Sequence, residues 1–101
     1  MDLTGKQKRY LKGLGQKLPD FCTVGKDGLT KPIIYNIQKQ FDKTELVKVR
    51  LRFEEGSERQ QTAALLEKET DSTCVAVVGK TILLYRVNEK LKDEKKIKLP
   101  K

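Results

Sequence analysis

Between residues 47 and 53 apolar and basic side chains alternate without a break. Val47, Val49, Leu51 and Phe53 fall on one side, and Lys48, Arg50 and Arg52 on the other. A period of two belongs to an extended strand, and an apolar face of that length has to be buried in a sheet. The chain must therefore build a sheet whose covered side carries these four residues and whose other side, at this strand, is cationic. Upstream, Ile33, Ile34, Ile37 and Phe41 make a helical stripe, with Thr30 as N-cap and Pro32 in the first turn, and the pattern runs out near Lys43 and Thr44. Before that helix, residues 21–24 (FCTV) read as a short strand closed by Gly25-Lys26-Asp27-Gly28. Two strands joined through a helix are expected to run parallel with a right-handed crossover.

The rest of the chain completes this sheet. Thr4 and Gln7 have the spacing of a capping box, Leu11, Leu14 and Leu18 follow at helical intervals beside Tyr10, and Pro19 closes the segment. After Gly56, Ser57 and Gln60 offer a second capping box leading into a weakly striped helix around Leu65 and Leu66. Residues 73–78 and 81–87 read as a hairpin around Gly79-Lys80, a turn that wants glycine first, and both strands are apolar on both faces. Strands of that kind lie mid-sheet or under a covering helix. Where helices cover one face only, the other is an apolar platform open to a partner. With 101 residues the chain holds one core. The expected fold is α/β (α+β): a single compact domain over residues 3–87, ordered α-β-α-β-α-β-β, with a four-stranded sheet packed with helices. Residues 88–101 (NEKLKDEKKIKLPK) are dominated by lysine and read as a flexible tail.

Several functions are disfavoured by what the chain lacks. It has no histidine, the commonest general base and metal ligand, and no GxSxG, HExxH or GxxxxGK[ST] pattern. No catalytic residue, metal site or cofactor is expected. The carboxylate pairs Glu54-Glu55 and Asp93-Glu94 read as solvated surface, and Cys22 and Cys74, far apart and without paired spacing, as buried thiols. No apolar run approaches membrane-spanning length, and the amino terminus MDLTGKQKRY has no signal-like stretch, so a cytoplasmic location and no membrane partner are expected.

What remains is charge. Twenty-two Lys and Arg against fourteen Asp and Glu give +8, which points to a polyanion, nucleic acid before membrane, and not to a small-molecule substrate. The charge is uneven: residues 1–53 carry +7, residues 54–87 carry −2 and the last fourteen carry +3. On the first helix Lys6, Arg9 and Lys17 lie opposite the leucine stripe with Lys8 and Lys12 on its flank, and no acid stands between Thr4 and Pro19. The strand adds Lys48, Arg50 and Arg52. In the loop, Gly25 and Gly28 let a phosphate approach the backbone, the following helix offers amide groups and the positive end of its dipole, and Lys26 and Lys31 flank it, with Asp27 as a counter-charge. This is the logic by which GxxG loops clamp an RNA backbone; a strand-to-helix turn that needs positive φ is the plainer alternative. Aromatic residues are sparse, so backbone and shape recognition is expected ahead of base stacking, with Tyr35 the best stacking candidate.

The segments LTGKQKRYLKGL, VGKDGLT, ELVKVRL, VVGKTILLYR and KKIKLP, in this order over residues 3–100, resemble the CRM domain (chloroplast RNA splicing and ribosome maturation), and more narrowly its stand-alone bacterial YhbY type. The resemblance implies a mixed four-stranded sheet similar to the C-terminal domain of translation initiation factor three. It also implies binding of structured RNA: large-subunit ribosomal precursors for bacterial members, group II introns for plant ones. It places the family's GxxG loop on Gly25, Lys26, Asp27 and Gly28, and puts Lys80 where an arginine is often found, which keeps the charge and loses the bidentate fork. The expected protein is a non-catalytic, monomeric RNA-binding protein assisting large-subunit assembly. From a different class, an adaptor holding a protein partner on the hairpin platform through Leu83 or Tyr85 is the alternative.

Overall fold

The computed structural model, which describes residues 2–25, 27–52 and 56–101, opens with a helix fixed by its own first turn. In α1 (Gly5–Gln16) the Thr4 hydroxyl accepts from the Gln7 amide and the Gln7 side chain accepts from the Thr4 amide, at 3.1 and 3.0 Å, a complete capping box. Strand β1 (Cys22–Val24) follows, then α2 (Lys31–Gln40), capped by Thr30 with Pro32 in its first turn. Next come β2 (Leu46–Leu51), α3 (Gly56–Thr70), β3 (Thr73–Val78) and β4 (Thr81–Tyr85). The expected element order is the observed one. Phe53, the Glu54-Glu55 pair, Lys26 and the Ser57 side chain lie outside the described residues.

The sheet has the order β1-β2-β4-β3, with β1 parallel to β2 and the other pairs antiparallel. Alternation along the strands sends Val24, Val47, Val49, Leu51, Ile82 and Leu84 to one face, where Ile37 and Phe41 from the α2 segment and Ala63 and Leu66 of α3 cover them. On the other face Leu46, Val75, Leu83 and Tyr85 are buried with Leu11 of α1. A slip in the β3 ladder between Cys74 and Ala76 gives that face both Val75 and Ala76. The central strand β4 is thus covered twice, as its two apolar faces require, while β3 forms an outer edge.

Four expectations change. The hairpin offers no open platform at Leu83 and Tyr85, because α1 and the carboxy-terminal residues lie over them and leave 7% and 3% exposed. The last strand stops at Tyr85, and Val87 is exposed. On α3 the inward stripe is Ala63, Leu66 and Thr70, with Leu65 outside; small residues on that stripe explain its faint periodicity. The thiols of Cys22 and Cys74 are half-buried and free. Burial pushes both thiols up from their ordinary pKa, and nearby Asp20 and Glu67 respectively act in the same direction, so both stay protonated at neutral pH.

The largest correction concerns residues 88–101. Composition read them as a flexible tail outside the fold, yet they pack on it: Ile97 and Leu99 sit against the α1-side core. Their anchor is Glu45, a carboxylate 2% exposed. Its Oε2 accepts from the Asn88 amide at 2.7 Å and its Oε1 from the Ile97 amide at 2.6 Å. Asn88 also donates its side-chain amide to the Phe41 carbonyl at 3.0 Å, and Gln7 of α1 donates to the Pro100 carbonyl at 3.1 Å. A lysine-rich average concealed two apolar side chains and a partner far away in sequence. Removing the carboxylate leaves two amides without acceptors, each costing about 1–3 kcal/mol where water cannot reach. Glu45→Ala should therefore lower the unfolding free energy by about 2–6 kcal/mol in a denaturant titration and remove hydrogen-exchange protection from the Asn88 and Ile97 amides.

Candidate nucleic-acid interface

Parallel pairing makes β1 and β2 finish at the same end of the sheet, with Val24 opposite Leu51. The Arg52 amide donates to the Val24 carbonyl at 3.0 Å, so Arg52 stands where the glycine loop leaves the sheet. The Leu51 amide donates to the Lys80 carbonyl at 2.6 Å, which brings the hairpin turn to the same place. From the loop the chain enters α2 at Lys31. One end of the sheet therefore gathers the Gly25–Gly28 turn, Lys31, Arg52 and Lys80, and all three cations are exposed.

The turn itself is closed by the Gly28 amide donating to the Gly25 carbonyl at 3.0 Å. Gly28 has φ +73°, and Gly79 in the hairpin turn has φ +57°; both adopt the left-handed conformation that glycine takes without steric cost. Gly25 is different. Its φ lies outside that range, and a Cβ there would meet nothing within 4 Å, so the chain's own packing gives no reason for glycine. The plainer reading as a turn needing positive φ thus accounts for Gly28 and leaves Gly25 with open space over its backbone. Asp27 is exposed in the turn.

The helix end offers less than a full set of amides. Pro32 has no N–H, the Ile33 amide donates to the Thr30 hydroxyl at 3.4 Å, and the Ile34 amide to the Thr30 carbonyl at 3.0 Å. Attraction for an anion here rests on the helix dipole and on the Lys31 charge. Arg50 extends the cationic end, its guanidinium 3.7 Å from the Asp20 carboxylate in a surface pair of the kind that contributes little to stability.

The remaining candidates lie elsewhere. Lys48 is half-buried beneath α1, and its ammonium donates to the carbonyls of Gly15 and Leu18 at 3.2 and 3.3 Å. It holds one carbonyl of the last helical turn and one just beyond the helix and is committed to the fold, a role invisible when a basic residue on a strand's polar face is taken to face solvent. Lys12 and Lys48 share the wall of a small cavity of about 90 Å³ that also touches Thr81 and Leu83. Farther along α1, Arg9 is exposed, and Lys6 donates to the Lys101 carbonyl at 3.3 Å. Sequence reasoning passed over Lys39 and Lys43, exposed on and just beyond α2; for Lys39 the signal was there, since no acid occurs between Asp27 and Asp42, whereas Lys43 stands directly after Asp42. Tyr35 is exposed at 56%, with the Lys39 ammonium 5.5 Å from its ring centre.

Among the described residues no cluster of His, Cys, Asp and Glu has the makings of a metal site, and no helix is long and apolar enough to cross a membrane.

Comparison with known proteins gives the family and the fold. The chain is 35% identical over 98 residues to "Probable RNA-binding protein YqeI" of Bacillus subtilis, covering 97% of this chain and 99% of that one. It is 32% identical over 99 residues to a protein of Haemophilus influenzae named "RNA-binding protein", with 98% and 96% covered. The solution structure of SAV1595 from Staphylococcus aureus superposes with a TM-score of 0.83 at 33% identity, over 98% of this chain and all of that one. A model of the CRS1 / YhbY (CRM) domain matches residues 3–86, and the chain belongs to that family.

Proposed function

We propose that this chain is a non-catalytic RNA-binding protein that holds the phosphate backbone of structured RNA at the sheet end built from the Gly25–Gly28 turn, Lys31, Arg52 and Lys80. The observation that carries the reading is that convergence: an open glycine turn, a helix dipole and three exposed cations delivered to one place by strand pairing. Phosphates need that combination of approachable backbone and positive charge. Lys26, which lies outside the described residues, joins this group on the sequence GKDG alone. Arg50 widens the footprint, and Lys6, Arg9 and Lys12 on α1 supply long-range attraction, whereas Lys48 acts by fixing α1. The names of the relatives point to RNA as the polyanion.

The RNA is ribosomal, and the protein acts as a cytoplasmic monomer on precursors of the large subunit. The ribosomal target rests on the family resemblance, and the location on the lack of a signal-like or membrane-length apolar run in the sequence. The adaptor reading loses its support, since Leu83 and Tyr85, which it needed on the surface, are core residues.

Affinity for structured RNA should fall steeply with salt, and Lys31→Ala, Arg52→Ala and Lys80→Ala should each reduce the log–log slope by about 0.7–0.9, the share of one phosphate contact. Binding that ignores salt would contradict the reading. For the ribosomal half, sedimentation of tagged protein from a bacterial lysate separates the cases. The native chain should travel with large-subunit particles, and a folded Lys31→Glu/Lys80→Glu variant should stay at the top of the gradient. Both at the top would remove the ribosomal assignment, and both with the particles would remove the loop end as the contact.

A further inference from the structure

Beside β1, at the open edge of the sheet, a cleft of about 300 Å³ runs against α2. Phe21 and Cys22 form its strand side, and Asn36, Lys39, Gln40 and Lys43 its helix side. No carboxylate is among these lining residues, and the acids Asp42, Glu69 and Asp71 line the neighbouring cleft on the far side of Lys39. Phe21 is 36% exposed although it is one of only six aromatic residues in the chain. Lys39 joins this cleft to the neighbouring one that holds Tyr35, and it lies by the Tyr35 ring. Lys39 on α2 therefore has one exposed aromatic residue, Tyr35, beside it on the helix and shares its cleft with a second, Phe21, on the strand side.

We propose that this cleft takes unpaired bases of the RNA whose backbone the glycine loop holds, with Phe21 as the stacking surface, Lys39 and Lys43 for the adjoining phosphates, and Asn36 and Gln40 as hydrogen-bonding groups for base edges. The proposal rests on the RNA-binding reading and adds to it a subsite for single-stranded nucleotides. The chemistry is that of sequence-tolerant single-strand sites, where cations follow the backbone and aromatic faces receive bases. The distance is suitable. From Lys31 to Lys39 the helix rises about 12 Å at about 1.5 Å per residue, the length of three to four stacked nucleotides at about 3.4 Å each. A strand leaving a duplex held at the loop would meet the cleft within that length.

The chain has no tryptophan, so Phe21→Trp places a single fluorescent indole at the cleft. Titrated with a short single-stranded oligouridylate, the fluorescence of that indole should be quenched, while blunt duplex RNA should bind and leave it unchanged. Phe21→Ala should weaken oligouridylate binding by about five-fold or more, the effect of losing one base–aromatic stack. Lys39→Gln, which leaves Phe21 in place, should also weaken it, and both variants should keep native duplex affinity. If both RNAs bind but the indole is silent and neither variant discriminates between them, the subsite is wrong while the loop-end reading stands. If the native chain binds neither RNA, the underlying reading fails and the subsite with it.

Discussion

Ile82 and Leu84 face one side of the sheet and Leu83 and Tyr85 the other, and all four are buried, so β4 has no side that it can turn to water. A strand of that kind has to be central and has to be covered twice. Helices α2 and α3 cover one face. On the other, α1 is joined by the carboxy-terminal residues, whose Ile97 and Leu99 complete the layer. The buried Glu45 carboxylate holds that segment by two backbone amides, and Lys48 holds the end of α1 through the Gly15 carbonyl and that of Leu18 just beyond the helix. Charged groups on the β2 segment thus secure both elements of the second layer, which is why two residues that look like surface charges are parts of the frame.

The same topology makes the candidate site. Two parallel strands end together, the antiparallel hairpin turns at that end, and the helix after β1 begins there, so the cations that decorate these connections arrive side by side. Open α/β sheets commonly offer ligands the crevice at the carboxyl ends of their strands, and the site here is built at that position. No pocket for a small molecule is required. An approachable turn and a set of point charges suit a polymer that presents phosphates along its length.

Much of this was legible in the sequence because it is local. The Thr4–Gln7 capping box, the Thr30 cap with Pro32, and the alternation along β2 are decided within a few residues, and each appears where the spacing put it. The loop candidates Gly25, Gly28 and Lys31 share that advantage. What escaped depends on partners distant in the chain. The fate of residues 88–101 turns on Glu45, more than forty positions away, and no compositional average registers a buried carboxylate waiting for their amides. Lys48 read as solvent-facing because the crossing of α1 over β2 is a tertiary fact. On α3, Ala63 and Thr70 do the inward packing, and residues so small or polar leave no stripe to recognise. The cleft beside β1 went unnoticed for the same reason, since strand and helix contribute its two sides separately.

If RNA meets the protein at the end of the sheet where these connections gather, the backbone there must sense it. A backbone amide chemical-shift titration with a stem-loop RNA tests that claim directly. The largest perturbations are predicted at Gly25, Asp27, Gly28, Lys31, Arg52, Gly79 and Lys80. Perturbations concentrated instead at Glu45, Asn88 and Ile97, with the loop end unchanged, would contradict it.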